Sequence, residues 1–392
     1  MARILVAFYN CIDDLTNPNA MPQFYETFIK QLDKLGNNLL VFSHKFFYGE
    51  FGQIELSIQE EIVNFDPEIC FLFNNAFFDL SDIVKCPIVI YEVDSPSLFS
   101  NQNIIRSQPN KYKYFIIQQE SKKTLVQDYN VNPKNIYYIP LFTEIYADHE
   151  VKSIENITFV GSLFEDNRNI FDSFYKNNPT EIEKEWFEKS ILSIMQNPKI
   201  TVETLIHRYG IKSELVISCL DMPAILMALS REKRIQVLSS VADYGMKIYG
   251  TSNWGTEYYG KFCLNRAYVN KKVYSLEQNQ KIYNESKIGI NVSHLQATSG
   301  FPWRVMDIMA SNACLVTDWH SDFERLFPEL YGILPIYSDP YEAREICKYL
   351  IDNEDKRQSI VKKCNEVINK KYRFKNIVHL LEKNTGVKLS KF

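Results

Sequence analysis

The chain has 392 residues, 45% of them hydrophobic and 23% charged, with a formal net charge of −4 and a pI near 6.0. That length exceeds one ordinary hydrophobic core and predicts two domains, while the composition excludes a disordered chain. The acidic balance excludes a general nucleic-acid binder, which needs a basic face against phosphate. Eight cysteines without a C-x-x-C spacing argue against a zinc site or disulfide framework, and no apolar run reaches membrane-spanning length.

Taken in order, "MARILVAFYNCIDD" turns polar too early for a signal peptide and reads as a first strand, so a cytoplasmic protein is expected. "PQFYETFIKQLDKLG" has helical apolar spacing and a terminating Gly36. "NNLLVFSH" is the next strand and "FGQIELSIQEEIVNF" the next helix. "EICFLFNN", "CPIVIYEVD", "KYFIIQQES" and "NIYYIP" supply four more strands. Such alternation predicts a doubly wound parallel sheet, whose ligands sit beyond the C-terminal strand ends.

The pattern lapses near residue 150, and "NITFVGS" opens a second unit. A long helical stretch follows, about 170–242, before the strands "MKIYGT", "KIGINVS", "NACLVTD" and "GILPIYS". Three helices close the chain. The expectation is α/β: two Rossmann-like domains facing a central cleft, residues 1–150 and 151–370, with a helical insertion in the second. Residues 371–392 are expected as a basic helix and tail that pack back on the first domain. From Lys362 onward nine Lys and Arg face only Glu366 and Glu382, which makes this end a candidate for peripheral contact with the inner, anionic face of a membrane.

The most informative stretch is "SGFPWRVMDIMASNACLVTD", residues 299–318. It reads as a helix from about Phe301, capped by Ser299 or Thr298, with Pro302 in its first turn and Asn312 at its end. Arg304 and Asp307 then share one helix face. As a surface ion pair they would contribute only about 0.2–0.5 kcal/mol. The free N–H groups of the 298–302 segment, in which Pro302 has none, would face the cleft, where they attract phosphate.

This segment resembles the nucleotide-sugar-binding motif of GT-B glycosyltransferases, and within them the CgeB-like, family 1-type branch whose helix carries R-x-x-E. Arg304 and Asp307 stand at those positions, with Asp one methylene shorter than the family Glu, and Asn312 stands where Gly is usual. "FVGSLFEDNRN", residues 159–169, resembles the start of the family's second domain: Gly161 would allow close backbone approach and Arg168 would pair a phosphate oxygen. The resemblance implies a GT-B fold and transfer of a sugar from a nucleotide-activated donor to a hydroxyl of a glycan, glycolipid or protein, in bacterial surface polysaccharide or glycoconjugate synthesis. It implies Ser299, Gly300, Phe301 and Arg304 around the diphosphate, Asp307 on the ribose, and no metal or other cofactor. Ser299 stands where the related retaining pattern carries its first Glu, so retaining chemistry draws no support.

"IVIYEVDSP" ends a strand in Glu92 and Asp94, which could mimic a D-x-D metal site, but that site belongs to a fold lacking the motif above. In a GT-B cleft Asp94 becomes the candidate general base, assisted by Glu92, with Asp13, Asp14 and His44 as weaker candidates. His294 ends a strand beside the donor loop, and Tyr249 with Gly250 and Thr251 ends another, where family members cradle the base. Two other readings stay open: a sugar-nucleotide epimerase on the same fold, and a non-catalytic protein that kept the fold.

Overall fold

The computed structural model describes residues 1–10, 12, 17, 19–44, 56–164, 169–256, 262–271 and 273–390, with His44 by its backbone alone. Strands β1 (Arg3–Tyr9), β2 (Asn38–His44), β3 (Ile69–Phe73), β4 (Ile88–Tyr91), β5 (Lys113–Ile116) and β6 (Ile136–Tyr138) form one parallel sheet, ordered β2-β1-β3-β4-β5-β6. Their apolar runs do not alternate with polar residues because both faces are covered; β3 and β4 are buried at every position. Ile4, Val6 and Phe8 pack toward α1 (Gln23–Lys34). Leu5 and Ala7 pack on the opposite face, beneath α2 (Leu56–Phe65), α3 (Gln102–Ser107) and α4 (Glu120–Tyr129).

The second parallel sheet holds β7 (Glu155–Val160), β8 (Met246–Tyr249), β9 (Ser286–Ile290), β10 (Cys314–Asp318) and β11 (Ile336–Tyr337), ordered β11-β10-β9-β7-β8. Counted from its own first strand, this is the order of the first sheet without the last strand. Each sheet therefore reverses its winding beside its first strand, between β1 and β3 and between β7 and β9. A crevice opens at such a switch point because the flanking connections leave to opposite faces.

Between β7 and β8 the described residues form five helices: α5 (Asn169–Lys176), α6 (Glu181–Gln196), α7 (Val202–Tyr209), α8 (Glu214–Cys219) and α9 (Met222–Val241). Local chemistry sets their ends. Thr180 and Glu183 form a capping box, Thr201, Ser213 and Asp221 cap the next starts, and Gly210 at φ 65° ends α7. They bury a core of their own, including Phe174, Phe187, Leu205 and Ile225.

Helices α10 (Phe262–Ala267), α11 (Leu276–Asn284), α12 (Arg304–Met309), α13 (Asp322–Leu326), α14 (Pro340–Asp352) and α15 (Glu354–Lys371) complete the second unit. The last helix, α16 (Phe374–Thr385), returns to the first sheet, where Phe374, Ile377 and Leu381 join Phe28 and Phe71. The chain thus passes between the sheets twice, and the two passages are tied. Arg373 Nη1 donates to the carbonyls of Thr143 and Ile145, at 2.8 and 2.5 Å. Thr143 N donates to Tyr372 O at 3.1 Å, and Phe374 N to Glu144 Oε1 at 2.8 Å. Among the described residues no helix is long and apolar enough to cross a membrane. The sulfurs of Cys70 and Cys86 lie 3.6 Å apart as free thiols.

Candidate functional site

The switch point of the second sheet gathers the charged residues of the cleft. β7 ends in Val160 and turns at Gly161, whose N–H donates to Tyr249 O at 2.8 Å. A Cβ on Gly161 would lie 2.7 Å from Arg304 Nη1, so only glycine lets the guanidinium settle here. Arg304 donates to Val160 O at 3.0 Å and lies 5.0 Å from the Phe159 ring centre. From α9, Arg234 reaches the same place: it donates to Ser162 O at 2.5 Å and to Val292 O at 3.4 Å, and it lies 3.8 Å from the Phe164 ring centre. Both guanidiniums are enclosed, and among the described residues neither makes an ion pair. The neighbouring carboxylate of Asp318 is bonded instead by Lys233 at 2.7 Å. Burial, and then the charge of Arg304, press Arg234 well below its usual range, against the opposing pull of the Asp318 carboxylate.

His294 stands beside them, its ring edge-on to Phe164 at 4.7 Å. Burial, Arg234 and Lys233 push its pKa down to about 3, so it is neutral near pH 7. Its Nδ1 accepts from Gln296 N at 3.0 Å, which leaves the ring hydrogen on Nε2.

The opening of α12 differs from the sequence expectation. The helix begins at Arg304, with Trp303 at the cap position and no side-chain cap. Phe301 was expected against the donor; its ring stacks on Phe323 at 4.7 Å and joins the core, which pulls residues 299–302 out of helical geometry. Ser299 does not cap α12: its hydroxyl donates to Asp322 Oδ2 at 3.3 Å and accepts from Glu120 N, the first N–H of α4, at 3.2 Å. The Gly300 N–H is not free either; it donates to Gln118 Oε1 at 3.3 Å, and a Cβ there would meet Gln118 Cβ at 2.6 Å. Asn312 keeps a negative φ, because its amide is held by the carbonyls of Asp148 and Asn284.

Arg304 and Asp307 share a helix side, Arg304 half-buried and Asp307 buried, and they do not bond each other. Asp307 Oδ1 accepts from Thr143 Oγ1 at 2.6 Å and Oδ2 from Gln23 Nε2 at 2.9 Å. Burial raises its pKa to about 7. Trp303 plugs the seam between the sheets, stacked on Phe24 at 5.3 Å and edge-on to Phe142 at 5.1 Å.

Across the cleft, Glu92 and Asp94 part company. Glu92 is fully buried and accepts from Ile117 N at 2.7 Å, from Gln118 Nε2 at 3.0 Å and from the Ser121 hydroxyl. Burial raises it to about 7, against those bonds. It fixes the Gln118 segment rather than facing the cleft. Asp94 faces it. Asn74, in the left-handed conformation at φ 51°, donates to Asp94 Oδ2 at 2.8 Å and accepts from Asp94 N at 3.0 Å. Gln296, from the opposite domain, donates to Asp94 Oδ1 at 2.9 Å. Burial raises the Asp94 pKa above the usual carboxylate value, suiting a group that must gain a proton.

Between these walls lies a cavity of about 370 Å³, with Arg234, Arg304 and His294 on one side and Asp94 on the other. Another, of about 280 Å³, adjoins it through Asp94 and Arg304 and runs to Asp307, Asn279 and Tyr283. The Tyr283 hydroxyl is buried and, among the described residues, has no hydrogen-bond partner. Tyr249 borders neither space. Arg168, Asp13 and Asp14 lie outside the described residues, as does the His44 side chain.

Arg234 is the residue that sequence reasoning missed. In "AILMALSREKRIQVLSSV" the apolar register runs through Ile225, Ala228, Leu238 and Val241, and Arg231 and Arg234 occupy it between. An arginine where the helix should bury a leucine was the available signal.

Residues 231–383 match the sequence model of a family described as "Glycosyl transferase-like". No curated protein matches the sequence. Among solved structures, Anabaena HepE in complex with UDP-glucose aligns at TM-score 0.57 and 12% identity, over 98% of this chain and 100% of that one. The fold is that of the GT-B glycosyltransferases. Sucrose-phosphate synthase from Thermosynechococcus elongatus aligns at 0.58 and 8% identity over 98% of each chain. T4 phage BGT with its UDP-glucose substrate aligns at 0.54 and 10% identity, over 99% of this chain and 100% of that one.

Proposed function

We propose that the chain is a GT-B glycosyltransferase of the R-x-x-E helix branch, moving a sugar from a nucleotide donor to an acceptor hydroxyl. One observation carries the reading: Arg234 and Arg304 converge at the switch point of the second sheet and, among the described residues, neither forms an ion pair. Two neighbouring cations that line one cavity repel each other, and an anion between them relieves that cost; a donor diphosphate supplies one. The orphaned Tyr283 hydroxyl in the adjoining cavity points the same way, since it lacks a partner that a ligand would provide.

In this reading the diphosphate lies between the two guanidiniums, with the His294 Nε2–H beside it. Asp307 takes the ribose hydroxyls in exchange for Gln23 and Thr143. The acceptor oxygen attacks the anomeric carbon and its proton passes to Asp94. The bond from that carbon to the diphosphate oxygen breaks, and the electron pair leaves on the diphosphate, where the arginines stabilise it. They do what a divalent cation does in other folds, so turnover in chelator is expected to equal turnover without it.

The test is binding of UDP-, GDP-, CMP- and dTDP-sugars by calorimetry, then product analysis. UDP-glucose comes first, because two of the structural neighbours hold it. Absence of binding by every nucleotide would sink the reading. A donor sugar that changes identity without an acceptor would replace it with an epimerase.

A further inference from the structure

The five-helix insertion does more than decorate the second domain. Beside the reaction cavity a groove of about 360 Å³ runs between this insertion and the first domain. The two spaces are continuous, since Ser95, Gln118, His294 and Gln296 border both. One wall is apolar: Leu98 comes from the first domain, and Val202, Met222, Leu226 and Met227 come from α7 and α9. Methionine side chains are pliable and adapt to an aliphatic or aromatic body better than to a polar one.

Charge narrows the occupant further. Glu120, Asp128 and Glu203 border the groove, and Lys199, its cation among the described residues, is paired with Glu120 at 2.8 Å. A phosphate-bearing acceptor would meet carboxylates with no spare cation. At the junction with the reaction cavity, Gln296 donates through Nε2 to Asp94. Its Oε1 is buried and, among the described residues, has no partner. That oxygen needs a donor, which a hydroxyl of the acceptor would supply while the neighbouring hydroxyl reaches Asp94.

We propose that this groove is the acceptor subsite, and that it takes an uncharged amphiphile: a hydroxyl-bearing headgroup at Gln296 and Asp94, with an alkyl or aryl body along Met222, Leu226 and Met227. The proposal rests on the glycosyltransferase reading for the role of Asp94, but its test does not need transfer. Protein carrying 13C-methyl methionine is titrated with hexyl glucoside, with glucose and with a glucose phosphate. Met222 and Met227, assigned by single substitution to Leu, are expected to shift with hexyl glucoside and stay still with the other two. The double variant Leu226→Asp, Met227→Asp is expected to weaken hexyl glucoside binding about tenfold or more, while UDP affinity stays within about twofold of the parent.

Shifts with the glucose phosphate as large as those with hexyl glucoside, or no shift with hexyl glucoside, would overturn the proposal. Undiminished hexyl glucoside binding by the double variant would overturn it as well. UDP binding is read in the same samples, so the groove can fail while the donor site stands, and the reverse. Unchanged UDP affinity in the variant also shows that it has folded.

Discussion

The two sheets share a strand order and so present their crevices in the same way, yet the crevices hold opposite chemistry. At the first, on the β3 side of the switch point, β3 and β4 lead into Asn74 and Asp94: one amide in a left-handed turn and one carboxylate with a raised pKa. At the second, β7 and β9 end beside Arg234, Arg304 and a neutral His294. Topology supplies the place, and the residues at the strand ends decide whether that place carries a carboxylate or a pair of guanidiniums. Facing one another, the two make a site that neither holds alone.

That division can be broken from either side. On the proton-accepting side, Asp94→Asn is expected to lower transfer by about 1000-fold, within the range for loss of a general base, while UDP affinity moves less than about twofold. Retained transfer would remove Asp94 as the base. On the anion side, Arg234→Ala and Arg304→Ala are each expected to weaken UDP by about 30-fold, from a lost charge-assisted bond worth about 2 kcal/mol. If calorimetry finds UDP affinity intact in both, the arginines are structural.

A finer test shifts the arginine without removing it. Gly161→Ala places a methyl 2.7 Å from Arg304 Nη1 and 2.9 Å from the buried Phe159 ring, so UDP affinity should fall about tenfold, with a lowered melting temperature. The smallest effect concerns pH. The Asp307 pKa is raised by burial to about 7, so the folded chain holds a proton there that the unfolded chain releases near pH 4. Its contribution is complete below that lower value and is lost as pH rises to about 7, at up to about 1.4 kcal/mol per unit. Asp307→Asn, in which Gln23 can turn its amide to restore the bond, should flatten the decline of melting temperature between pH 5 and 7. A slope unchanged from the parent would assign the titration elsewhere, with Glu92 the first alternative.

Much of the fold was legible because parallel strands are uniformly apolar and turn residues punctuate them. "RILVAFYN", "EICFLFNN" and "NACLVTD" all became strands, and the helical stretch before Val241 became α5 to α9. Less of the site was legible. Arg304 and Gly161 were singled out from motifs, but their mutual contact depends on two strands and a helix meeting in space. The start of α12 was misplaced because Phe301 answers to Phe323, more than twenty residues away, and local capping rules do not register that pull. Ser299 and Gly300 looked like free donors because their acceptors, Asp322 and Gln118, lie elsewhere in the chain. Arg234 was hidden within a register that reads as apolar.

The doubled passage between the sheets bears on how substrates enter. A single linker would let the domains swivel in any direction. Here two segments cross side by side and are fastened by Arg373, Thr143 and Glu144. With two adjacent anchors, the remaining freedom is rotation about the line joining them, so the cleft widens like a book from its spine. The groups farthest from that line part first. Measured as two distances across the cleft, between labels on α4 and α7 and between labels on α1 and α11, such opening should change both in a fixed ratio.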